Sequence, residues 1–182
     1  IIYNNYRKGL SFSCNQGVEV SKGEYIIFLN CDNYINNNFF EQIDELVNKG
    51  FDFIATKNRV ININDKFGLY INKVHSLQNK TGKDKVKFNR KKNVSYTEGC
   101  VVKRQLIIDS LGFLDWKGNN LKAGEDLIFA DNLRPLAKKA TFQPSVEVLH
   151  SVPNTYKSFF YNRFIRGYGT IQIYRFYRGF SI

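Results

Sequence analysis

The stretch GEYIIFLNCDN, Gly23 to Asn33, is the part of the sequence that decides the fold. Its apolar run is bounded by polar residues, which is typical of a buried strand. The run ends at Asp32, a single carboxylate between the amides of Asn30 and Asn33. Packing does not explain a polar cluster there. We therefore expect either a turn, in which Asn and Asp bond their own backbone, or a ligand site.

A helix and a second strand are predicted directly after this stretch. Apolar residues recur at helical spacing, and Gly50 marks the end of the helix. The segment FDFIATKNR, residues 51–59, is a strand candidate. Strand, helix and strand in this order predict a βαβ unit, and hence an α/β fold with a mostly parallel sheet flanked by helices. Further strands are predicted in 96–104 and, as short pieces, in 140–150.

The composition limits the classes of protein. The 182 residues suit one domain, and no apolar run is long enough to span a membrane. Three cysteines without CxxC spacing favour a reducing, cytoplasmic compartment over a disulfide framework. The net charge of +11, with basic clusters in 80–92 and after residue 150, favours anionic partners. Nucleic acid is one such partner, but we find no nucleic-acid-binding motif and expect none to be bound.

Four short motifs contain residues that could carry chemistry. Asp32 with Asn30 suits a hard divalent cation that also binds phosphate. Glu125 and Asp126 begin a predicted helix, where the helix dipole already favours acids, but two acids in tandem also permit one to position a substrate and the other to take a proton. The other two are single residues. His150 ends a strand and could ligate a metal or be structural. Gly99 indicates either a bulge or the close approach of a ligand or of another backbone.

The order of these motifs resembles that of the family 2 glycosyltransferases, which have the Rossmann-like GT-A fold. The matching segments run from the Asn-x-Gly helix to His150: NQGVEVSKGEYIIFLNCDN (15–33), EGCVVKR (98–104), GFLD (112–115) and GEDL (124–127). The stretch IIYNNYRKG resembles the segment just before that helix, so the resemblance implies an N-terminally truncated fragment without the family's first strands. It implies a partial GT-A domain in 1–150 and a C-terminal helical extension in 151–182.

The resemblance also implies a reaction and roles for named residues. The reaction is the inverting transfer of a sugar from a nucleotide-diphosphate donor to a hydroxyl of a glycan, lipid-linked or protein acceptor, in the synthesis of cell-surface polysaccharide or glycoconjugate. Asp126 is expected to be the base and Glu125 to orient a substrate. Mg²⁺ or Mn²⁺ is expected at Asp32, with His150 as a second ligand. Donor or acceptor contacts are expected at three further residues, Asn15, Asn30 and Gly99.

Two other functions are compatible with part of this motif pattern. Asn30 stands where the family's first metal-binding acid is expected, so a catalytically inert GT-A-like binding domain is one alternative. Hydrolysis of glycosides by Asp32 and Asp126 as paired carboxylates is the other. In the extension, Arg163 and Arg166 could clamp the diphosphate or form a solvated face. The aromatic and basic pattern there suits either an interfacial helix on the inner face of an anionic membrane or a helix packed on the core.

Overall fold

The computed structural model describes residues 3, 9–78, 86–87, 98–113 and 121–176. Within these ranges the chain forms six helices and six strands: α1 Leu10–Val20, β1 Tyr25–Ile27, β2 Tyr34–Ile35, α2 Phe39–Asn48, β3 Phe53–Val60, α3 Lys66–Gln78, β4 Val86–Lys87, β5 Val101–Lys103, α4 Arg104–Asp109, α5 Glu125–Leu133, β6 Ala140–His150 and α6 Tyr156–Phe176. Most of the basic segment 80–92 and the end of the GFLD motif lie outside the described residues.

The strands form one sheet in the order β1-β5-β3-β6-β2, with β4 also paired to β6. The α/β fold class is confirmed, but the sheet is mixed rather than mostly parallel. Among the described pairs, β3 and β6 are parallel and the other four pairs are antiparallel. β5 lies antiparallel between β1 and β3, and β2 and β4 each pair antiparallel with β6. The two strands of the predicted βαβ unit therefore still run in the same direction, but they are not neighbours.

The last strand is one element where the sequence predicted short pieces. β6 runs without interruption from Ala140 to His150 and pairs with β3 along its length. The register shifts where Thr56 is opposite Gln143 and the next residue of β3 is opposite Glu147. The extra residues include Pro144, which has no backbone N–H to donate to a ladder. The irregularity thus accommodates the proline and allows the strand to continue to His150.

Side chains of the sheet alternate between two separate layers of core. Val102 and Phe53 face a cluster built with α1, α4 and α5, whereas Val101 and Ile54 face a cluster built with α2. This is the period-two alternation of a strand that is covered on both faces. The result is helices on each side of the sheet, with the carboxyl ends of β1, β3 and β6 free to carry polar residues.

Helix α6 packs against the α/β part of the molecule through its own aromatic and small residues. Phe159 joins a buried cluster with Val60 and Ile71. Near the other end, the Gln172 side-chain oxygen accepts a hydrogen bond from the Lys122 backbone N–H at 3.0 Å. The boundary at residue 150 stays a sequence-based prediction. None of the helices in the described ranges has the length and apolar character needed to cross a bilayer.

Candidate functional site

Asp32 lies in a tight turn five residues after the end of β1. The Asn33 backbone N–H donates to the Asn30 carbonyl at 3.1 Å, and the Asn33 side-chain oxygen accepts from the Asn30 backbone N–H at 2.8 Å. Both bonds close residues 30–33 on themselves, as expected when an Asn replaces a backbone partner. The turn leaves the Asp32 side chain exposed to solvent. Turn formation therefore explains the asparagines, and the carboxylate remains accessible to a ligand.

Glu98 connects the ends of several strands. Its carboxylate accepts hydrogen bonds from the amides of Asn30, at 3.3 Å, and Asn58. The Nε2 atom of His150 lies 4.0 Å from the same carboxylate. Asn58 comes from β3 and His150 from the end of β6, where β3 and β6 are in register. We call Asn30, Asn58, Glu98 and His150 the strand-end cluster; it brings two of the predicted site residues together around an acid that the sequence analysis did not single out.

The predicted divalent cation was tested against these side chains. In the described residues no group of three or more His, Cys, Asp or Glu side chains is arranged to hold a metal. A Mg²⁺ ion that binds phosphates commonly uses only one or two carboxylates, with water and substrate oxygens as its other ligands. The exposed carboxylate of Asp32 is compatible with that simpler requirement. A cation at Asp32 and His150 therefore remains a prediction.

The second candidate region is the start of α5, where Glu125 and Asp126 form the acid pair. One oxygen of Asp126 accepts from the Leu127 backbone N–H at 2.9 Å. The Oε2 atom of Glu125 is buried and has no hydrogen-bond partner among the described residues. Burial raises the pKa of both carboxyls, and the positive charge of Arg166 partly opposes the rise. The acid pair thus has an acceptor oxygen that no group in the described part of the chain hydrogen-bonds.

Two thiols lie beside the acid pair. Burial, with a smaller contribution from the negative charge of Glu125, raises the pKa of Cys14 to about 11. Burial also raises the pKa of Cys100, to which the charges of Cys14 and Asp126 add. Cys14 of α1 and Cys100, the residue just before β5, belong to the same core cluster as Leu127 and Phe129 of α5. Thiols with such raised pKa values are protonated at neutral pH, so they contribute apolar surface next to the acid pair.

Residues 98–100 relate the two regions. Glu98 belongs to the strand-end cluster, and Cys100, two positions later, is electrostatically coupled to Asp126. Backbone bonds hold this segment to β1, since Gly99 donates to the Phe28 carbonyl at 2.7 Å and Phe28 donates to the Cys100 carbonyl at 3.0 Å. The strand-end cluster and the acid pair therefore flank one short segment. The meeting of Asp32, His150 and Asp126 in one cleft stays a prediction.

Asn15 and Gly99 have structural partners that account for them without a ligand. The Asn15 amide donates to the Phe113 carbonyl at 2.6 Å and accepts from the Phe113 N–H at 2.7 Å. This pair ties α1 to a residue 98 positions away. Gly99 has φ +82° and is buried, and a Cβ there would collide with Val148 and lie 2.5 Å from the Thr56 hydroxyl. Contacts from either residue to a donor or acceptor remain predictions.

The structure adds one functional candidate, Glu98, and a second role for Arg166. Glu98 stands directly before Gly99 in the sequence, and its acidic character in a strand pattern was the one available signal. Arg166 was predicted to be a diphosphate clamp or part of a solvated face, both of which stay predictions, and its positive charge also lowers the pKa of Glu125 and Asp126. Neither pairing has a short-range sequence pattern, because the partners are tens of residues apart.

Comparisons with known proteins agree with the fold and the order of the motifs. Three structures of TarS from S. aureus are similar to this chain. TarS 1–349 matches with TM-score 0.58 and 14% identity over 94% of this chain and 53% of its own. TarS 1–349 in complex with UDP-GlcNAc matches with TM-score 0.56 and 14% identity over 78% and 38%. A structure of TarS matches with TM-score 0.55 and 16% identity over 83% and 25%.

These likenesses confirm the predicted GT-A fold. The chain spans about half or less of the length of the solved structures that it matches. A comparison with curated protein sequences gave no match. The model of the family described as "Glycosyl transferase family 2" matches residues 1–109 of the 182. Because that match covers more than half of the sequence, the chain belongs to glycosyl transferase family 2.

Proposed function

We propose that the protein transfers a sugar from a nucleotide-diphosphate donor to an acceptor hydroxyl, with inversion at the anomeric carbon. The observation that carries the proposal is the acid pair: two partly buried carboxyls in tandem, of which Glu125 has a buried oxygen without a hydrogen-bond partner among the described residues. Buried polar atoms are normally satisfied, and a ligand or a catalytic role is one explanation for an exception. Sugars and acceptors present the hydroxyl groups that such an oxygen binds.

In the proposed reaction Asp126 is the general base. The acceptor hydroxyl gives its proton to the Asp126 carboxylate while its oxygen forms a bond to the anomeric carbon of the donor. The bond from that carbon to the phosphate oxygen breaks, and the nucleotide diphosphate leaves with the electron pair. Glu125 accepts a hydrogen bond from a sugar or acceptor hydroxyl and so orients it. Proton transfer by a positioned carboxylate contributes roughly 10²–10⁴-fold to the rate.

The donor's diphosphate requires positive charge near the end of β1. Asp32 would hold Mg²⁺ or Mn²⁺, with His150 in support, and the chemistry such a cation supplies is neutralisation of charge on the leaving diphosphate. The complex of TarS with UDP-GlcNAc supports a nucleotide-sugar donor for this related fold. We extend that donor class, though not that particular sugar, to this protein. A glycan or lipid-linked acceptor, and a role in making cell-surface polysaccharide or glycoconjugate, belong to the same proposal.

The test is a donor panel with the full protein. Nucleotide-diphosphate sugars are supplied one at a time with and without Mg²⁺ or Mn²⁺, and released nucleoside diphosphate is measured together with donor affinity by calorimetry. Binding and release of at least one donor are expected. Binding without release, for every donor and with acceptor extracts present, would support the inert GT-A-like domain. Tight, salt-sensitive binding of nucleic acid with no donor binding would instead support the nucleic-acid alternative.

We also propose that α6 contacts an anionic membrane surface from the cytoplasmic side. Seven large side chains of this helix are exposed, namely Tyr156, Phe160, Tyr161, Phe164, Tyr168, Ile171 and Tyr174. The helix carries Lys157, Arg163, Arg166 and Arg175 and no acid. Aromatic rings beside cationic residues suit the boundary between headgroups and acyl chains of anionic lipid. The opposite side of α6 packs on the core through residues such as Phe159 and Ile173, so the helix could bind lipid without leaving the domain.

Vesicle sedimentation separates this surface from its alternatives. The full protein should bind vesicles of phosphatidylglycerol and phosphatidylcholine more strongly than vesicles of phosphatidylcholine alone. Replacement of Phe160 and Phe164 by Ser should weaken that binding, whereas Phe40→Ser, an exposed phenylalanine on α2, should leave it unchanged. Equal binding to both kinds of vesicle, or concentration-dependent self-association that the α6 substitutions abolish, would contradict a membrane role.

A further inference from the structure

Helix α6 is packed closely against the segment that leads into the acid pair. Gly169 lies so near Ala123 that an added Cβ would collide with its carbonyl oxygen and lie 2.9 Å from its nitrogen. A Cβ on Gly124, the residue before Glu125, would lie 2.5 Å from the Ile173 side chain. Together with the bond from the Lys122 N–H to Gln172, these contacts fix α6 over residues 122–124.

The same face of α6 carries a cation toward the acid pair. Arg166, Gly169 and Ile173 are three and four residues apart, so they lie on one side of the helix. Gly169 and Ile173 are the residues packed on 123 and 124, and Arg166 is one turn earlier. The charge of Arg166 acts on both Glu125 and Asp126, and the charge of Asp126 also acts on Glu125. Cys14 and Cys100 are protonated neighbours of the pair. Arg163 is the cation next to Arg166 on α6.

We propose that Arg166 is the counter-ion of the acid pair, and that α6 is a component of the catalytic site because it delivers this charge. The inference rests on the proposed glycosyl transfer and adds a positioning residue that acts through Asp126. Burial alone favours the neutral form of a carboxyl, and a neutral Asp126 cannot accept a proton. A positive charge carried on the helix that packs against residues 122–124 favours the ionised form and would leave the base ready at neutral pH. Arg166 itself is exposed, so substitution should not disturb the core.

The first test is the pH profile of turnover in the full protein. In Arg166→Gln the acidic limb of kcat should move to higher pH, so the rate at pH 6 falls severalfold relative to the rate at pH 8. Arg166→Lys, which retains the positive charge, should restore most of the wild-type profile. Lys157→Gln removes one charge from an exposed position on the same helix, and it should leave the limb in place. A raised donor KM with an unmoved acidic limb would overturn the proposal, since Arg166 would then contact the donor.

A second measurement does not depend on turnover. Carboxyl ¹³C shifts of Glu125 and Asp126 are followed by NMR as a function of pH in the wild type, Arg166→Gln and Lys157→Gln. Both midpoints should rise in Arg166→Gln and stay unchanged in Lys157→Gln. If no donor is turned over, the proposed function fails while this titration still decides whether Arg166 is the counter-ion. Midpoints that are identical in all three proteins would overturn the inference even in an active enzyme.

Discussion

Glu98 and Glu125 are both partly buried carboxylates, and the chain surrounds them in opposite ways. Glu98 accepts hydrogen bonds from Asn30 and Asn58 and lies beside His150. Glu125 has a buried oxygen with no hydrogen-bond partner among the described residues, and burial raises its pKa. A carboxylate whose hydrogen bonds come from its own fold contributes to architecture, whereas one that lacks them costs stability unless a ligand supplies them. From this contrast we propose that the strand-end cluster organises the site and that the acid pair carries its chemistry.

The largest expected effect is on turnover at the acid pair. Asp126→Asn should lower kcat by roughly 10²–10⁴-fold, because the amide cannot accept the acceptor's proton. Donor affinity, measured by calorimetry, should change little, since asparagine has nearly the same size and shape as aspartate. Asp44→Asn, an exposed position on α2, is the matched control and should be fully active. If kcat of Asp126→Asn were within tenfold of the wild-type value, Asp126 would not be the base. The proposed difference between the acid pair and the strand-end cluster would then fail.

The next effect is on stability at the residue between the two regions. Gly99→Ala should lower the free energy of unfolding by about 3 kcal/mol, because a Cβ would strike Val148 and Thr56 and because φ is +82°. Gly17→Ala is the control: Gly17 lies inside α1 with nothing within 4 Å of an added Cβ. That substitution should raise the free energy of unfolding by up to about 1 kcal/mol. Urea denaturation measures both, and an equally stable Gly99→Ala would show that residues 98–100 are not held as described.

The local elements could be predicted from sequence more readily than their arrangement. The helical spacing of Phe39, Ile43 and Leu46 predicted α2, and all three are buried in the structure. The acids that begin α5 were also expected, because the pattern lies within a few residues. The insertion of β5 between β1 and β3 was not, since strand order depends on contacts between distant segments. β2 is only two residues long, too short for a periodic signal.

The same limit applies to the candidate site. Asp32, Asp126 and His150 were found by their positions at element ends, which a sequence displays. The hydrogen bonds of Glu98 with Asn30 and Asn58 join the segment after β1, strand β3 and the segment before β5 across 68 and 40 positions, and nothing local marks them. Asn15 has a structural partner that its motif did not display. Its motif predicted a ligand contact, which stays a prediction, and its amide is also paired with the Phe113 backbone 98 positions away.

A smaller effect is expected when Glu98 is removed. Glu98→Ala should lower the free energy of unfolding by about 2 kcal/mol, because the amides of Asn30 and Asn58 lose their acceptor. Glu19→Ala, an exposed glutamate on α1, should change it by less than about 0.5 kcal/mol. Urea denaturation of the two variants in parallel gives the difference. If Glu98→Ala matched its control, the strand-end cluster would not be the organising element that its hydrogen bonds indicate.

The smallest effect has the opposite sign and belongs to the acid pair. Because burial raises the pKa of Asp126 in the folded protein, the folded state binds protons more tightly than the unfolded state there. The free energy of unfolding therefore falls as pH rises from the ordinary aspartate range through the raised pKa. Asp126→Asn lacks this titration, so it should be more stable than the wild type at pH 7, with the gain absent near pH 3.

Urea denaturation at the two pH values measures this difference, and Asp44→Asn, on the exposed side of α2, should show none of it. A gain that is equal at pH 3 and pH 7 would mean that the asparagine stabilises the helix for reasons unrelated to charge. A loss of stability at pH 7 would mean that the Asp126 carboxylate is satisfied in the fold, as Glu98 is. The acid pair and the strand-end cluster would then both be carboxylates satisfied by their own fold. With the expected sign, Asp126 would lower the free energy of unfolding at neutral pH and would also be the residue on which turnover is proposed to depend. Such a trade-off between stability and activity is common in catalytic sites.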